Sequence, residues 1–410
     1  MSNIYTGIDL GTDSIKIVVV EKLRNRFNLL ASVSTPNSYI INGEISNSRG
    51  LVNALKGALA EVEDMLGIKI DKAICSLNPI SLNMDIVEGS TLVEDPNNIS
   101  GIDISNLLND AIDKVDLNNQ ELVTSTPINF VIDDDQRVKD PKGMRGEKLS
   151  SKIVVSSIDK AAMYRVLEVL KLAGVDTIDV CFKSTGDYYI IKNDRFDRLV
   201  GAIINIGEES TNVSIFNKGI QIKNSTIPMG SAHVDRDISY IFNCSNEVSR
   251  DLKENFSYVI CDDADENEVV TIKDREDNDK DIKQVGISKV VEARVKEILK
   301  LASEEIKNLT NREISYIIVT GGLSEANGMD HLVDKCFNGL GKVCKINTMG
   351  ARHNKYSSSL GSCIYFDDKL SLRGKSYNMI SDEEINNLVS IDAEVSDKNI
   401  INRVFGHFFD

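Results

Sequence analysis

Residues 7–20, GIDLGTDSIKIVVV, have the clearest potential for chemistry in this chain. An apolar stretch leads to Asp9, and a run of β-branched residues resumes near Lys16, which predicts a β-hairpin. A turn rich in glycine and hydroxyl groups separates the two runs and consists of Gly11, Thr12, Asp13 and Ser14.

The residue types in this hairpin suit a phosphate group. Gly11 lets the backbone bend and approach a ligand, and successive amide groups in such a turn form a concave anion site. Lys16 adds a positive charge suited to phosphate, and Asp9 can hold a hydrated Mg²⁺. The alternative is an ordinary hairpin with a glycine turn, because short motifs often match by chance.

The same pattern recurs in the second half of the chain. Residues 199–206 are apolar, residues 207–211 form a polar turn that begins with Gly207, and residues 212–216 are again β-rich. This internal repeat predicts two similar domains that face each other. Further along, an apolar strand runs into Gly321 and Gly322, and a diglycine allows a nucleotide to lie flat against the backbone.

The elements that must position these turns follow from hydrophobic periodicity. An amphipathic helix is predicted at 49–66, with Gly67 at its end, and a strand at 72–76. Residues 80–155 show short alternating segments around one helix, which predicts an inserted subdomain; a continuous first domain is the alternative. Later predicted helices cover 159–173, 185–192, 232–257, 287–309 and 357–365.

Two polar stretches are predicted to lack regular structure. Residues 262–281 carry ten Asp or Glu against three Lys or Arg, which is typical of a solvated loop. Beyond residue 367 the chain is polar and acidic with no periodic pattern until about residue 396, which is typical of a linker.

Composition excludes several classes of protein. The 410 residues carry a net charge of −16, which argues against general nucleic-acid binding, because phosphate contacts need Lys and Arg. Seven cysteines without a CxxC motif, and no signal peptide, predict a reduced cytoplasmic protein. No apolar run is long enough to span a bilayer, so any membrane contact is expected to be peripheral.

The three glycine turns, GIDLGTDSIK, INIGEEST and VTGGL, together resemble those of the actin and heat-shock-chaperone ATPase superfamily. The chain resembles the FtsA family of bacterial cell-division proteins more closely, over essentially its whole length. Residues 141–149, PKGMRGEKL, and residues 227–234, IPMGSAHV, match segments of that family. The position of the inserted subdomain and a linker with an amphipathic end also match.

This resemblance implies an α/β fold: an actin-like two-domain ATPase with mixed sheets, ATP in the interdomain cleft, and an FtsA-type inserted subdomain 1C. The implied boundaries are 1–79 and 158–198 for subdomain 1A, 80–157 for 1C, 199–233 and 312–366 for 2A with the closing helix, 234–311 for 2B, 367–395 for the linker, and 396–410 for a membrane-targeting helix.

The resemblance also implies which residues bind ATP and Mg²⁺. Asp9 is expected to hold Mg²⁺ through water, and no catalytic residue is assigned. The expected ATP-binding residues are Gly11, Thr12, Asp13, Ser14, Lys16, Asn205, Gly207, Ser210, Lys253, Gly321, Gly322 and Leu323.

Three departures from the superfamily pattern bear on nucleotide binding or hydrolysis. Asn205 stands where the superfamily has an Asp that helps hold Mg²⁺ or polarise water, so weak or no ATPase activity is expected. Glu208 and Glu209 add negative charge near a triphosphate and must point away from it. Lys253 matches the ribose-contacting helix, but Arg250 stands where that helix usually has Glu.

The implied function is that of a peripheral protein at the cytoplasmic face of the membrane, at the division site. It would polymerise with itself and tether FtsZ filaments, with other division proteins binding subdomain 1C. The FtsZ C-terminal peptide would bind residues 234–311, where Arg294 suits its acidic end or is merely a solvated helix charge. The alternatives are an actin-like adaptor for pilus assembly and a sugar kinase, and a kinase would need a free catalytic carboxylate.

The last segment, DKNIINRVFGHFFD, is strongly amphipathic if helical. At 100° per residue its apolar side chains occupy one half of the helix, which is typical of an in-plane membrane anchor. A helix that docks on the protein's own core is the alternative. The predicted membrane-facing residues are Ile400, Ile401, Val404, Phe405, Phe408 and Phe409.

Overall fold

The first lobe is built on a five-stranded mixed sheet. The computed structural model describes residues 3–381, except 25, 79, 81 and 349. In the sheet, β1 (Asn3–Leu10) pairs antiparallel with β2 (Ser14–Leu23) and parallel with β6 (Lys72–Leu77). With β3 (Arg26–Pro36) and β11 (Asp176–Phe182) at its edges, the strand order is β11-β6-β1-β2-β3. Up to the inserted subdomain the elements are β1 (Asn3–Leu10), β2 (Ser14–Leu23), β3 (Arg26–Pro36), β4 (Ile40–Ile41), β5 (Glu44–Ile45), α1 (Ser48–Leu66) and β6 (Lys72–Leu77).

The inserted subdomain is a four-stranded antiparallel sheet, in the order β7-β10-β8-β9, covered by one helix. Ser100 caps that helix in a reciprocal capping box with Asp103, so backbone amides at the start of the helix have side-chain acceptors. Its elements, and those with which the first lobe resumes, are β7 (Asn83–Leu92), α2 (Gly101–Ile112), β8 (Gln120–Ile132), β9 (Gln136–Val138), β10 (Lys148–Asp159), α3 (Lys160–Ala173), β11 (Asp176–Phe182) and α4 (Lys183–Ile191).

The second lobe repeats the sheet of the first. Its strand order is β14-β13-β12-β17-β18, with two antiparallel pairings followed by two parallel ones. The first sheet has the same pattern when it is followed from β3 to β11. The elements are β12 (Val200–Ile206), β13 (Thr211–Asn217), β14 (Ile220–Ile227), α5 (Ser231–Phe242), α6 (Asn246–Asp251), β15 (Val269–Lys273), β16 (Asp279–Lys283), α7 (Gln284–Leu309), β17 (Tyr316–Thr320), α8 (Met329–Cys336), β18 (Gly341–Val343) and α9 (Ser357–Leu372). The predicted two-domain α/β fold with mixed sheets and an inserted subdomain is confirmed.

Apolar burial holds each sheet against its helices. In the first lobe α1 buries one face, as its periodicity predicts, with Asn47 as N-cap and Gly67 in the left-handed conformation as C-cap. Full burial of each leucine on that face contributes about 1.5–3 kcal/mol. The buried face of α1 consists of Leu51, Val52, Leu55, Ala58, Leu59, Val62 and Leu66.

Two helices connect the lobes and pack on each other. Helix α4 leads from β11 of the first sheet to β12 of the second, and α9 returns from the second lobe to pack on β1 and β6. They cross at Gly186 and Gly361, where any side chain would meet the backbone of the other helix. The cleft between the lobes opens beside this crossing.

The acidic segment differs from the expected loop. Within residues 262–281 the chain enters a two-stranded hairpin of β15 and β16. Ile272 and Ile282 are buried, and most of their strand neighbours are exposed. Val270, Ile272 and Ile282 lie on the face that packs against the core, which is why a mainly charged segment still forms strands.

The expected linker also begins later than predicted. Helix α9 continues to Leu372, because Asp367 accepts a hydrogen bond from Tyr5 and pairs with Lys22 of the first lobe. Beyond it, Met379 is buried and its backbone amide donates to the Ile4 carbonyl. Polar residues of α9, such as Asp367, thus form contacts with the first lobe instead of a solvated linker. The remainder of the expected linker and the predicted membrane-targeting helix lie outside the described residues.

Candidate functional site

The two predicted phosphate turns have the same local geometry. In the first, the amide of Gly11 donates to the carbonyl of Ser14 at 3.0 Å; in the second, the amide of Gly207 donates to the carbonyl of Ser210 at 2.9 Å. The strands behind them pair in the same register, so Asn205 in the second lobe corresponds to Asp9 in the first. The repeat therefore extends from sheet order to individual turns.

A cavity of about 530 Å³ lies between the lobes, and both turns contribute to its lining. Its walls carry five Asp or Glu and five Lys or Arg, whereas the whole chain has a net charge of −16. This local balance suits an anionic ligand better than the rest of the surface does. The sequence-predicted residues brought together here are Asp9, Gly11, Thr12, Asp13, Ser14, Lys16, Asn205, Gly207, Ser210, Lys253, Gly321, Gly322 and Leu323.

Lys16 is buried behind the first turn, and its Nζ lies 2.9 Å from Oδ1 of Asp13. Burial opposes the charge on both groups, but their attraction prevails. The pKa of Lys16 is therefore raised, and the pKa of Asp13 is lowered to about 2. The turn holds a charged lysine next to its amide groups, as a phosphate site requires.

The two glutamates of the second turn are both engaged. Glu208 pairs with Arg250, while Glu209 accepts a hydrogen bond at 2.6 Å from the backbone amide of Asn42 in the first lobe. Burial raises the pKa of Glu208, and Lys253 and Arg250 oppose that shift. Glu208 thus joins the second turn to the helical segment that carries Arg250, and Glu209 joins it to the first lobe.

Lys253 lies on a short π-helical turn, Leu252–Phe256, that follows α6. Its side chain is only 4% exposed, and Nζ donates to Ser231 at 2.6 Å and to Asp235 at 2.9 Å. The ammonium is therefore committed to this buried cluster. Arg250, one turn earlier, keeps a half-exposed side chain at the cavity, so it is the more accessible cation of this helix.

The two glycines after β17 have different roles. Gly321 has φ +94°, and a Cβ there would lie 2.4 Å from the Ile206 carbonyl oxygen. A Cβ on Gly322 would meet nothing within 4 Å, because that face opens on the cavity. The backbone conformation at Gly321 therefore favours glycine, whereas Gly322 leaves a flat, open surface on the cavity wall.

Two functional candidates on α4, Lys183 at its start and Asp187 in its middle, were not predicted from the sequence. Nζ of Lys183 lies 2.7 Å from Oδ1 of Asp9, as an ion pair rather than a directed hydrogen bond. Asp187, fully buried, accepts hydrogen bonds from Asn205 at 2.6 Å and from Ser357 and Ser358, and its burial raises its pKa. Their partners lie far away in sequence, so no local pattern points to either residue.

Comparison with known proteins identifies the family. A model described as "Cell division protein FtsA" matches residues 202–361, and a model described as "SHS2 domain inserted in FTSA" matches residues 81–157. Together the two models cover more than half of the chain.

The chain belongs to the FtsA family.

A curated FtsA cell-division protein of Bacillus subtilis is 24% identical over 93% of this chain and 88% of its own length. Among solved structures, a PilM–PilN type IV pilus biogenesis complex matches 88% of this chain and 98% of that chain, with 14% identity and a TM-score of 0.60. MreB5 of Spiroplasma citri bound to ADP matches 91% of this chain and 98% of that chain, with 12% identity and a TM-score of 0.54. At these identities the structural matches show the actin-like fold alone.

The predicted partner residue, Arg294, is not a free charge in this FtsA-family chain. On α7 its guanidinium contacts both carboxylate oxygens of Asp237, at 2.6 and 3.0 Å, and also contacts Glu297. Its hydrogen bonds to Asp237 raise its pKa. A partner that uses Arg294 would have to compete with Asp237.

The described part of the chain contains no helix long and apolar enough to cross a membrane. Nor do its His, Cys, Asp and Glu side chains form a group of three or more that could hold a metal ion. The six predicted membrane-facing residues, Ile400 to Phe409, lie outside the described residues.

Proposed function

We infer that this chain is an ATP-binding actin-like protein that polymerises at the inner face of the membrane, at the division site, and tethers FtsZ filaments there. The observation that carries the proposal is the cavity between two repeated lobes, which brings two glycine turns and the open surface at Gly322 to one place. Membership of the FtsA family supports the division role.

The residues fit a nucleoside triphosphate. The turns at Gly11 and Gly207 offer amide groups and the charged Lys16 to phosphates, and the open face of Gly322 leaves room for a flat base. The solved MreB5 structure, with the same fold, is described as bound to ADP. Bound nucleotide supplies a polyanion that touches both lobes.

Such a ligand would act mainly by changing the angle between the two lobes. Because its phosphates contact one turn from each lobe, occupancy biases the angle between the lobes and thereby the surfaces available for polymerisation. The Glu209–Asn42 hydrogen bond, which already joins the second turn to the first lobe, would respond to the same motion. Turnover need not be fast, and weak or no ATPase activity is expected.

The residues do not fit a Mg²⁺ site of the expected kind. Asp9, the expected ligand through water, is paired with Lys183, and position 205 carries an amide in place of a carboxylate. The same facts argue against a sugar kinase, which would need a free catalytic carboxylate at one of these two equivalent positions. The FtsA-type insertion argues against a pilus adaptor.

The remaining parts have separate roles in this proposal. The region around α7, including Arg294, would bind the acidic C-terminal peptide of FtsZ, and the inserted subdomain would bind other division proteins. The amphipathic segment at the end of the chain would lie in the membrane interface.

Reconstitution on lipid vesicles tests the proposal. Fluorescent FtsZ is mixed with vesicles, ATP and either the full chain or the chain without its last fourteen residues, 397–410. Fluorescence on the vesicles is expected with the full chain alone. Equal recruitment by the shortened chain, or none by the full chain, contradicts the tethering function.

A further inference from the structure

The ion pair between Asp9 and Lys183 lies at the floor of the cavity. Their side chains are 6% and 14% exposed, and both line the cavity wall. Asp9 is in β1, directly before the first turn, and Lys183 is the first residue of α4. Nζ of Lys183 also donates to the carbonyl of Leu10 at 3.4 Å, so two contacts hold the ammonium beside the first turn.

The Lys183 ammonium is paired with the Asp9 carboxylate, which would otherwise attract a hydrated divalent cation. A hydrated Mg²⁺ binds through waters that donate to carboxylates, and it keeps most of those waters. At Asp9 it would have to displace Lys183 or share Oδ1 with a like charge, and like charges this close repel strongly where water is largely excluded.

At the position equivalent to Asp9, the second lobe has an amide in place of a carboxylate. Asn205 corresponds to Asp9 by register, and its side-chain amide donates to Asp187 at 2.6 Å. The other oxygen of Asp187 accepts from Ser357 at 2.6 Å and from Ser358 at 2.8 Å. A metal ligand at Asp187 would have to break this buried network, which makes it a poor alternative.

We propose that Lys183 takes the place of the divalent cation, so that this chain binds nucleoside di- or triphosphates through protein ammonium groups with little dependence on Mg²⁺. The inference deepens the proposed ATP site and rests on it. Lys183 neutralises Asp9, which would otherwise repel phosphate, and its partly exposed side chain lines the same cavity as Lys16. Without Lys183, Asp9 becomes a free carboxylate that repels phosphate unless Mg²⁺ lies between them.

Calorimetric titration of the full-length chain with ATP, in Mg²⁺ and in EDTA, tests the inference. Wild-type affinity is expected to differ less than about threefold between the two conditions. The Lys183→Met variant is expected to lose about tenfold or more in EDTA, the scale of one charged contact, and to recover in Mg²⁺. Lys183→Arg, which keeps a cation, should resemble the wild type in its Mg²⁺ dependence.

Two further variants separate this role from structural support of Asp9. Lys192→Met removes a lysine next to the same helix but outside the cavity, and should leave both affinities unchanged. The double variant Asp9→Asn, Lys183→Met buries no unpaired charge, so it guards against a folding defect. It should bind ATP more weakly than the wild type with no recovery in Mg²⁺, because the carboxylate that attracts the metal is gone.

The outcomes are distinct. A wild type whose affinity rises tenfold or more with Mg²⁺ overturns the inference and leaves the ATP site standing. A Lys183→Met variant, or a double variant, with wild-type affinity in EDTA also overturns it. A wild type that binds ATP in neither condition contradicts the proposed nucleotide function itself.

Discussion

Gly186 and Gly361 are in direct backbone contact: the Gly186 carbonyl oxygen lies 1.9 Å from where a Cβ on residue 361 would stand. This contact joins α4 and α9, the two helices that run between the lobes. No side-chain rotation can relieve a clash there, because the opposing atoms belong to the backbone. The close crossing thus leaves no room for a side chain between α4 and α9 at this point.

The first prediction follows from that contact. Gly361→Ala should lower the free energy of unfolding by about 1–3 kcal/mol, the usual cost of overpacking, because the two helices must separate. Urea unfolding followed by circular dichroism measures this. Gly57→Ala is the matched control: Gly57 is exposed within α1 with no atom near its Cβ position, so alanine should stabilise slightly. Equal stability of Gly361→Ala and wild type would show that the helices adapt freely.

The nucleotide site gives the second prediction. Lys16→Ala should weaken ATP binding by about 1–3 kcal/mol, the scale of a lost charge-assisted contact. Gly322→Val should also block binding, because its side chain would enter open space on the cavity wall. Calorimetric titration measures both, with Lys56→Ala on the exposed face of α1 as control. Unchanged affinity in both cavity variants would refute the nucleotide assignment.

A pH dependence follows from the Asp13–Lys16 pair. Lys16 overcomes the effect of burial and lowers the pKa of Asp13 from 3.8 to about 2. A lowered folded-state pKa means that this contribution to stability is present above pH 3.8 and is lost as the pH falls toward 2. The stability difference between wild type and Asp13→Asn should therefore shrink through that window in urea unfolding. A constant difference would contradict the pairing.

The fourth prediction concerns the partner peptide. Arg294→Glu should weaken binding of the FtsZ C-terminal peptide and leave ATP binding intact. Asp237→Asn should strengthen peptide binding, because it releases the guanidinium from its internal carboxylate partner. Fluorescence anisotropy with labelled peptide measures both, with Lys300→Glu on the same helix as the charge-reversal control. If neither Arg294→Glu nor Asp237→Asn changes the affinity for the peptide, the peptide binds elsewhere.

The fifth concerns the amphipathic segment. The chain without residues 399–410 should stay folded and bind ATP, yet fail to float with liposomes. Phe405→Glu should reduce flotation about tenfold or more, because burial of one aromatic side chain contributes about 1.5–3 kcal/mol. Asn402→Glu adds the same charge to the polar half of the predicted helix and should retain flotation on neutral lipid. Flotation of the shortened chain at wild-type level would falsify the anchor.

The amino-acid sequence by itself determined the features that rest on local pattern. The apolar strands that lead to Asp9 and Asn205, the turns at Gly11 and Gly207, and the helix α1 follow from the preferences of neighbouring residues. The repeat of one pattern in two halves then predicted two similar lobes, and the observed sheets have the same strand order.

Only the tertiary structure decided which distant groups meet. Lys183 reaches Asp9, Asp187 reaches Asn205, and Met379 packs on β1, although the members of each pair are at least 18 residues apart in the sequence. Composition made residues 367–381 look like a linker because pairing with the first lobe, such as that of Asp367 with Lys22, has no local signature. Charges and amides interact through space, so their partners are set by how sheets and helices pack, after local preferences have fixed the elements themselves.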